Sequence, residues 1–183
     1  IAVSPGANAA VTPDDIAAAE SLIASADALV VQLELPLKTV EAALAIARRN
    51  DVRTILNPAP ARTLPETLLK NLYIIIPNKS EAEILSGIKV TDQESARKAA
   101  AIINAKGVDI VVITLRSQGA LIKEKEEYHF VEAFKVDTID TTAAGDTFCG
   151  SVCVGLSEGK SISEAVEMAA RAAALTVTRM GAQ

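Results

Sequence analysis

The sequence predicts an α/β domain built on a mostly parallel sheet, and three observations carry that expectation. Short branched-aliphatic runs alternate with longer stretches of helical periodicity. The runs are apolar almost without interruption, as in strands covered on both faces. Composition adds the third observation: 33 of the 183 residues are alanine and only 3% are aromatic, so helices can approach a sheet closely.

In chain order, the expected strands are residues 28–34 (ALVVQLE), 53–57 (RTILN), 73–78 (YIIIPN) and 109–115 (DIVVITL). Residues 1–3 form a further candidate strand at the chain start. Thr12, with Pro13, Asp14 and Asp15 behind it, opens a helix with a side-chain cap and two acids where the helix dipole favours negative charge. Pro36 opens the next helix, which runs through Arg49. Thr91 and Glu94 fit a capping box ahead of a helix over 95–106, with Gly107 placed to end it. After Leu115 the rhythm changes: residues 120–125 and 128–134 alternate around charged residues and read as an antiparallel hairpin. Ser161 and Glu164 cap a last helix extending to about Arg179.

A length of 183 residues suits one domain, 1–183, and can bury about two-thirds of its unfolded surface. The 50% hydrophobic content excludes disorder, and two cysteines exclude a disulfide scaffold. With 23 acidic against 18 basic residues, the net charge of −5 argues against nucleic-acid or anionic-membrane partners. No apolar run approaches the roughly 18 residues of a membrane span, so a soluble protein is expected.

One segment carries chemistry. Residues 140–146 (DTTAAGD) lead directly into a helical stretch over 147–156. Small residues before a helix start let backbone N–H groups converge on an anion. Asp146 at that mouth would repel a merely bound phosphate. It fits chemistry in which the carboxylate takes a proton from a hydroxyl while the N–H groups hold charge on a transferring phosphoryl group. An ordinary N-cap aspartate after a small-residue turn is the alternative on spacing alone.

The segment resembles the D-T-x-G-A-G-D signature of the ribokinase (PfkB) family of carbohydrate kinases. SPGAN (4–8), QLELP (32–36), NPAPA (57–61), NKSEAE (78–83), TLRSQGA (114–120) and VTRMGAQ (177–183) resemble family segments in the same order. The resemblance implies a three-layer α/β/α sandwich with a hairpin in its C-terminal half. The chain would be the nucleotide-binding and catalytic portion of a kinase whose N-terminal sugar-binding and lid segment it lacks. It further implies ATP-dependent phosphorylation of a sugar's primary hydroxyl, D-ribose to ribose 5-phosphate, with Mg²⁺ and a K⁺ activator; another sugar or nucleoside kinase of the family is the alternative. ATP dependence, the absence of a targeting segment and unpaired-looking thiols point to the cytoplasm. A lid of this kind would also be the route to a homodimer.

By the same resemblance, Asp146 is the base, and Ala143, Ala144 and Gly145 complete the anion hole. Glu34 would bind sugar hydroxyls, although an acid at a strand end needs no such role. Asn78 and Glu81 match the family's N-x-x-E element, Glu81 acting on Mg²⁺ through water; the same residues fit a plain helix start capped by Asn78 or Ser80. Thr114, Leu115, Arg116, Ser117, Gln118 and Gly119 would line the nucleotide, with Arg116 standing where the family usually has glycine. Ala170 replaces a frequent asparagine. The monovalent-cation ligands would be the Asp140 carboxylate and the carbonyls of Thr142, Thr176, Arg179 and Gly181, a further ligand falling after Gln183. Asp140 also fits an ordinary turn.

Other conspicuous residues read as structural. Cys149 and Cys153 lie four apart on one helix and, with a single histidine in the chain, make no zinc set. His129 alternates within a hairpin strand without triad companions. The charged run 123–127 reads as a solvated turn, and Arg171 and Arg179 as surface charges. A nucleotide-binding or structural module without catalysis is the competing functional expectation, because the sugar-binding segment is missing. NAD binding is disfavoured, since no G-x-G-x-x-G follows the first strand.

Overall fold

Among the described residues, four short parallel strands and one antiparallel hairpin make a single six-stranded sheet in sequential order. The structure, a computed structural model, describes residues 4–182; the expected strand at 1–3 lies outside them. The strands are β1 (Ala28–Val31), β2 (Arg53–Leu56), β3 (Ile74–Ile75), β4 (Ile110–Thr114), β5 (Ala120–Glu124) and β6 (Glu127–Val131). β1 to β4 pair in parallel, and β4–β5–β6 pair antiparallel, with Ala120 opposite Val131 and Glu124 opposite Glu127.

Eight α-helices accompany the sheet: α1 (Pro13–Ala18), α2 (Glu20–Ala24), α3 (Leu37–Arg49), α4 (Glu66–Leu69), α5 (Lys79–Ser86), α6 (Gln93–Ala105), α7 (Ala144–Ser157) and α8 (Ile162–Thr176). The period-2 alternation of strand side chains sorts residues between two cores. Leu56, Ile75, Val111, Ile113 and Leu121 face one way, onto α3, α4, α5 and α6. Ile55, Ile74, Ile110, Val112 and Ile122 face the other way, onto α7 and α8. The result is the expected three-layer sandwich. α1 and α2 lie outside it, covering α3 through Ile16, Ile23 and Ile46. Each fully buried leucine or isoleucine stabilises the fold by about 1.5–3 kcal/mol relative to an exposed one.

The expected strands and helices are present with shifted ends. The strands stop short, because residues beyond their C-terminal ends leave the ladder to form loops. The first helix breaks at Ala19 into α1 and α2. The cap of α6 is Asp92 rather than Thr91: its carboxylate accepts the Ser95 N–H at 2.8 Å while Ser95 Oγ accepts the Asp92 N–H at 3.0 Å. A carboxylate is the stronger acceptor, so the box forms one residue later than the Thr91–Glu94 spacing suggested. α7 begins at Ala144, which brings Asp146 inside its first turn. α8 ends at Thr176 rather than near Arg179. α4 is a helix of four residues, and its pattern was too short to read in the sequence.

Small residues decide how closely the layers meet. Gly155 on α7 faces Ala165 on α8, and a Cβ there would lie 2.9 Å from the Ala165 Cβ. At the start of β5, Gly119 has φ +104, and a Cβ would fall 2.0 Å from the Val131 carbonyl oxygen. Backbone conformation and space both require glycine at 119. Gly119→Ala is therefore expected to lower stability by roughly 2–4 kcal/mol in chemical denaturation, with the midpoint falling and the slope unchanged.

Candidate active site

Parallel strands joined by crossovers release their loops at one end of the sheet, which is where ligands bind in folds of this type. The loops after β1 (32–36), β2 (57–61), β3 (77–78) and β4 (115–119) share that end. They are tied to one another. The Leu33 N–H donates to the Ala59 carbonyl at 2.8 Å, and the Arg62 guanidinium donates to the Leu33 carbonyl. Asn78 forms a bridge with Thr114, whose N–H donates to the Pro77 carbonyl at 2.9 Å. Lys79 Nζ donates to Gln118 Oε1 at 2.6 Å, joining the start of α5 to the 115–119 turn.

α7 runs antiparallel to the strands. Its far end is held where the Arg53 guanidinium, at the start of β2, donates to the Leu156 carbonyl at 2.9 Å. Its first turn therefore rises to the loop end of the sheet. That turn has no side-chain cap: Ala143, the N-cap residue, has φ 59 and no side-chain acceptor. Ala144 N–H reaches the Thr141 carbonyl only at 3.4 Å, and Thr147 N–H donates to the Ala143 carbonyl at 2.9 Å. Among the described residues, the N–H groups of Gly145 and Asp146 donate to no acceptor. Such orphan donors at the positive end of a 14-residue helix could hold an anion. The Asp146 side chain is exposed beside them.

Asn78 and Glu81 form a reciprocal cap. Asn78 Oδ1 accepts the Glu81 N–H at 3.0 Å, and the Glu81 carboxylate accepts the Asn78 N–H at 2.8 Å and its side-chain amide at 2.7 Å. The helix-start interpretation of these residues is therefore realised, with Asn78 rather than Ser80 as the cap. Glu81 is only 7% exposed, and burial raises its pKa, opposed in part by the Asn78 bonds. Cys149, one turn into α7, is buried beside both carboxylates. Burial first, then the Asp146 and Glu81 charges, push its thiol up to about 12.

Asp140 acts as a latch. Its Oδ1 accepts the Thr142 N–H at 2.9 Å and hydroxyl at 2.7 Å, and its Oδ2 accepts the Gly181 N–H at 3.0 Å. The Thr142 N–H, then the Gly181 N–H, hold its carboxyl below the usual range. The N–H groups of Ile139 and Asp140 both donate to the Val177 carbonyl, at 2.7 and 3.2 Å. The residues named as cation ligands, Asp140, Thr142, Thr176, Arg179 and Gly181, therefore belong to two segments fastened side by side. Thr147, Thr176, Arg179 and Gly181 line a cleft of about 370 Å³ there.

Not every expected site residue joins this cluster. Glu34 is exposed in the loop after β1, and among the described residues it shares no hydrogen bond with Asp146 or the 115–119 turn. Leu115 is 1% exposed and belongs to the core, so only its backbone faces the loop end. Ala170 packs against the α7–α8 core. His129 is exposed, 3.2 Å from Glu127. Arg116 has φ 56, a left-handed conformation that a side chain strains. Ala143, where the family pattern reads glycine, has the same conformation. Arg62, Lys79 and Thr147 help assemble the loop end, yet the sequence assigns none of them a role; Lys79 lies within the NKSEAE segment, and Thr147 follows Asp146 directly.

A family model for "pfkB family carbohydrate kinase" matches residues 1–183. The chain belongs to the pfkB family of carbohydrate kinases. The ribokinase of Haemophilus influenzae is 45% identical over 183 residues, all of this chain and 60% of the relative. The ribokinase of Staphylococcus aureus is 44% identical, again over the whole chain and 60% of its own length. Among solved structures, Arabidopsis thaliana ribokinase complexed with ribose and ATP superposes with a TM-score of 0.91 at 28% identity, covering 99% of this chain and 59% of that one. The chain thus spans about 60% of the length of the pfkB relatives it matches. Among the described residues, no helix is long and apolar enough to cross a membrane.

Two outcomes follow from this geometry. Arg116→Gly should relieve the left-handed strain and raise stability by about 1 kcal/mol in urea denaturation. In thiol titration at pH 8, half-buried Cys153 should react well before Cys149, whose modification should await unfolding.

Proposed function

We propose that the chain carries the catalytic and nucleotide-binding machinery of an ATP-dependent sugar kinase, with D-ribose as acceptor and ribose 5-phosphate as product. The observation that supports it is the first turn of α7, where two unengaged N–H groups sit beside an exposed Asp146. Asp146 takes the proton of the sugar's primary hydroxyl, the freed oxygen forms a bond to the γ-phosphorus, and the bond to the β-γ bridging oxygen breaks to release ADP. The Gly145 and Asp146 N–H groups, with the helix dipole, hold the charge on the transferring group. The 115–119 turn and Asn78 bound the nucleotide, and Glu34 offers a carboxylate to sugar hydroxyls. The relatives named ribokinase support this choice of substrate.

The residues fit the two ions that the family implies. Among the described residues, no three His, Cys, Asp or Glu side chains cluster to ligate a metal directly. Both Glu81 oxygens are already engaged by Asn78, so Glu81 suits contact with Mg²⁺ through water. When bound, Mg²⁺ would neutralise phosphate charge. The Asp140 carboxylate and the carbonyls of Thr142, Thr176, Arg179 and Gly181 form an oxygen-rich set suited to K⁺. The competing reading is a module that binds nucleotide without turnover.

Asp146→Asn tests the proposal: with ribose and ATP, turnover should fall by about 10²–10⁴-fold while ATP affinity changes little. Undiminished turnover in the variant would remove Asp146 as the base. ATP binding without turnover in the parent chain would favour the module.

A further inference from the structure

The first turn of α7 is held from the side. Thr147 follows Asp146, and its hydroxyl lies 3.1 Å from the Thr176 hydroxyl at the end of α8. Thr176 Oγ also lies 3.1 Å from the Ala172 carbonyl. A hydroxyl has one proton, so with Thr176 donating to Ala172, Thr147 donates to Thr176. Both residues are half-buried, and both line the cleft that contains Arg179 and Gly181. α1, α5, α6 and α8 each begin with a reciprocal capping box. α7 has no capping side chain, since an engaged cap would consume the N–H groups left free at Gly145 and Asp146. The helix start must then be positioned by something other than its own cap.

We propose that the Thr147–Thr176 hydroxyl pair is that positioning device: it sets the orientation of the α7 first turn, and hence of the Asp146 carboxylate, against the end of α8. Thr147 is a positioning residue that acts through Asp146. The pair also joins α7 to the segment containing Val177 and Gly181, which Asp140 latches. Displacement of a catalytic group by about 1 Å can cost on the order of 10²-fold in rate, so a single lateral hydrogen bond is enough to matter.

This inference rests on the kinase reading for its kinetic arm and stands apart from it in its exchange arm. Thr147→Val keeps the branched shape and removes the hydroxyl. It should lower turnover by about 10–100-fold with the KM for ATP changed less than about twofold, and Thr147→Ser should restore turnover. Thr176→Val should reproduce the loss, and the double variant should be no worse than either single one. Amide hydrogen exchange on the same proteins should show Thr147 and Phe148 exchanging about tenfold faster in Thr147→Val, with α6 unchanged. Full turnover in Thr147→Val, failure of Thr147→Ser to rescue, or additive losses would overturn the proposal. If the parent chain transfers no phosphate, the kinase reading falls, and the exchange rates alone decide: unchanged exchange at Thr147 and Phe148 overturns the link.

Discussion

The constraint on which the rest depends is burial of a parallel sheet on both faces. Ile55 and Leu56, Ile74 and Ile75, and Ile110 and Val111 are neighbours in sequence that enter opposite cores. Both faces must be covered by helices, so β1, β2 and β3 are each followed by a crossover to the next parallel strand, whereas β4 turns back directly into β5. All the loops that follow β1 to β4 therefore emerge at one end. Asn78 and the 115–119 turn, far apart in the chain, become neighbours for that reason. α7 covers the second face and runs against the strand direction, so its positive end meets the same set of loops.

Local electrostatics then divide the carboxylates into roles. Asp140 is half-buried among N–H donors, which favour its charged form and let it fasten two segments 41 residues apart. Glu81 is buried, and the desolvation it suffers outweighs the bonds from Asn78. Asp146 shares its helix turn with two free N–H groups and remains open to solvent. The three acids carry the same functional group, and their surroundings separate a latch, a buried cap and an accessible candidate base.

The close fit of the α7–α8 layer follows from small side chains. Gly155 against Ala165 leaves no room for a Cβ, and the 33 alanines let helices and sheet approach without large aromatics. The same economy leaves strain where the backbone turns sharply. Arg116 and Ala143 both adopt left-handed conformations at the loop end, each costing on the order of 1 kcal/mol that the surrounding hydrogen bonds must outweigh. Their neighbours are well tied: the Leu115 N–H donates to the Gly119 carbonyl at 2.7 Å, and Thr147 secures the turn after Ala143.

Strand periodicity, helix caps at Thr12 and Ser161, the hairpin and the small-residue segment before α7 were legible in the sequence, because each depends on residues a few positions apart. That was enough to establish the fold class and to single out Asp146, whereas Asn78, Glu81 and the 114–119 segment were marked only by the family resemblance. The misplaced cap at Thr91 shows the limit of such local signals: the Thr91–Glu94 spacing fits a box, yet the stronger carboxylate acceptor of Asp92, one residue on, took the helix start. Contacts across the fold were invisible. The Asp140–Gly181 latch, the Lys79–Gln118 tie, the burial of Leu115 and the Thr147–Thr176 pair join residues 29 to 41 positions apart or set a side chain on one face of the sheet. By itself the sequence determined the fold class and marked candidate residues for the chemistry. Only the tertiary structure decided which stand together, because hydrogen bonds and burial depend on distances that chain spacing does not specify.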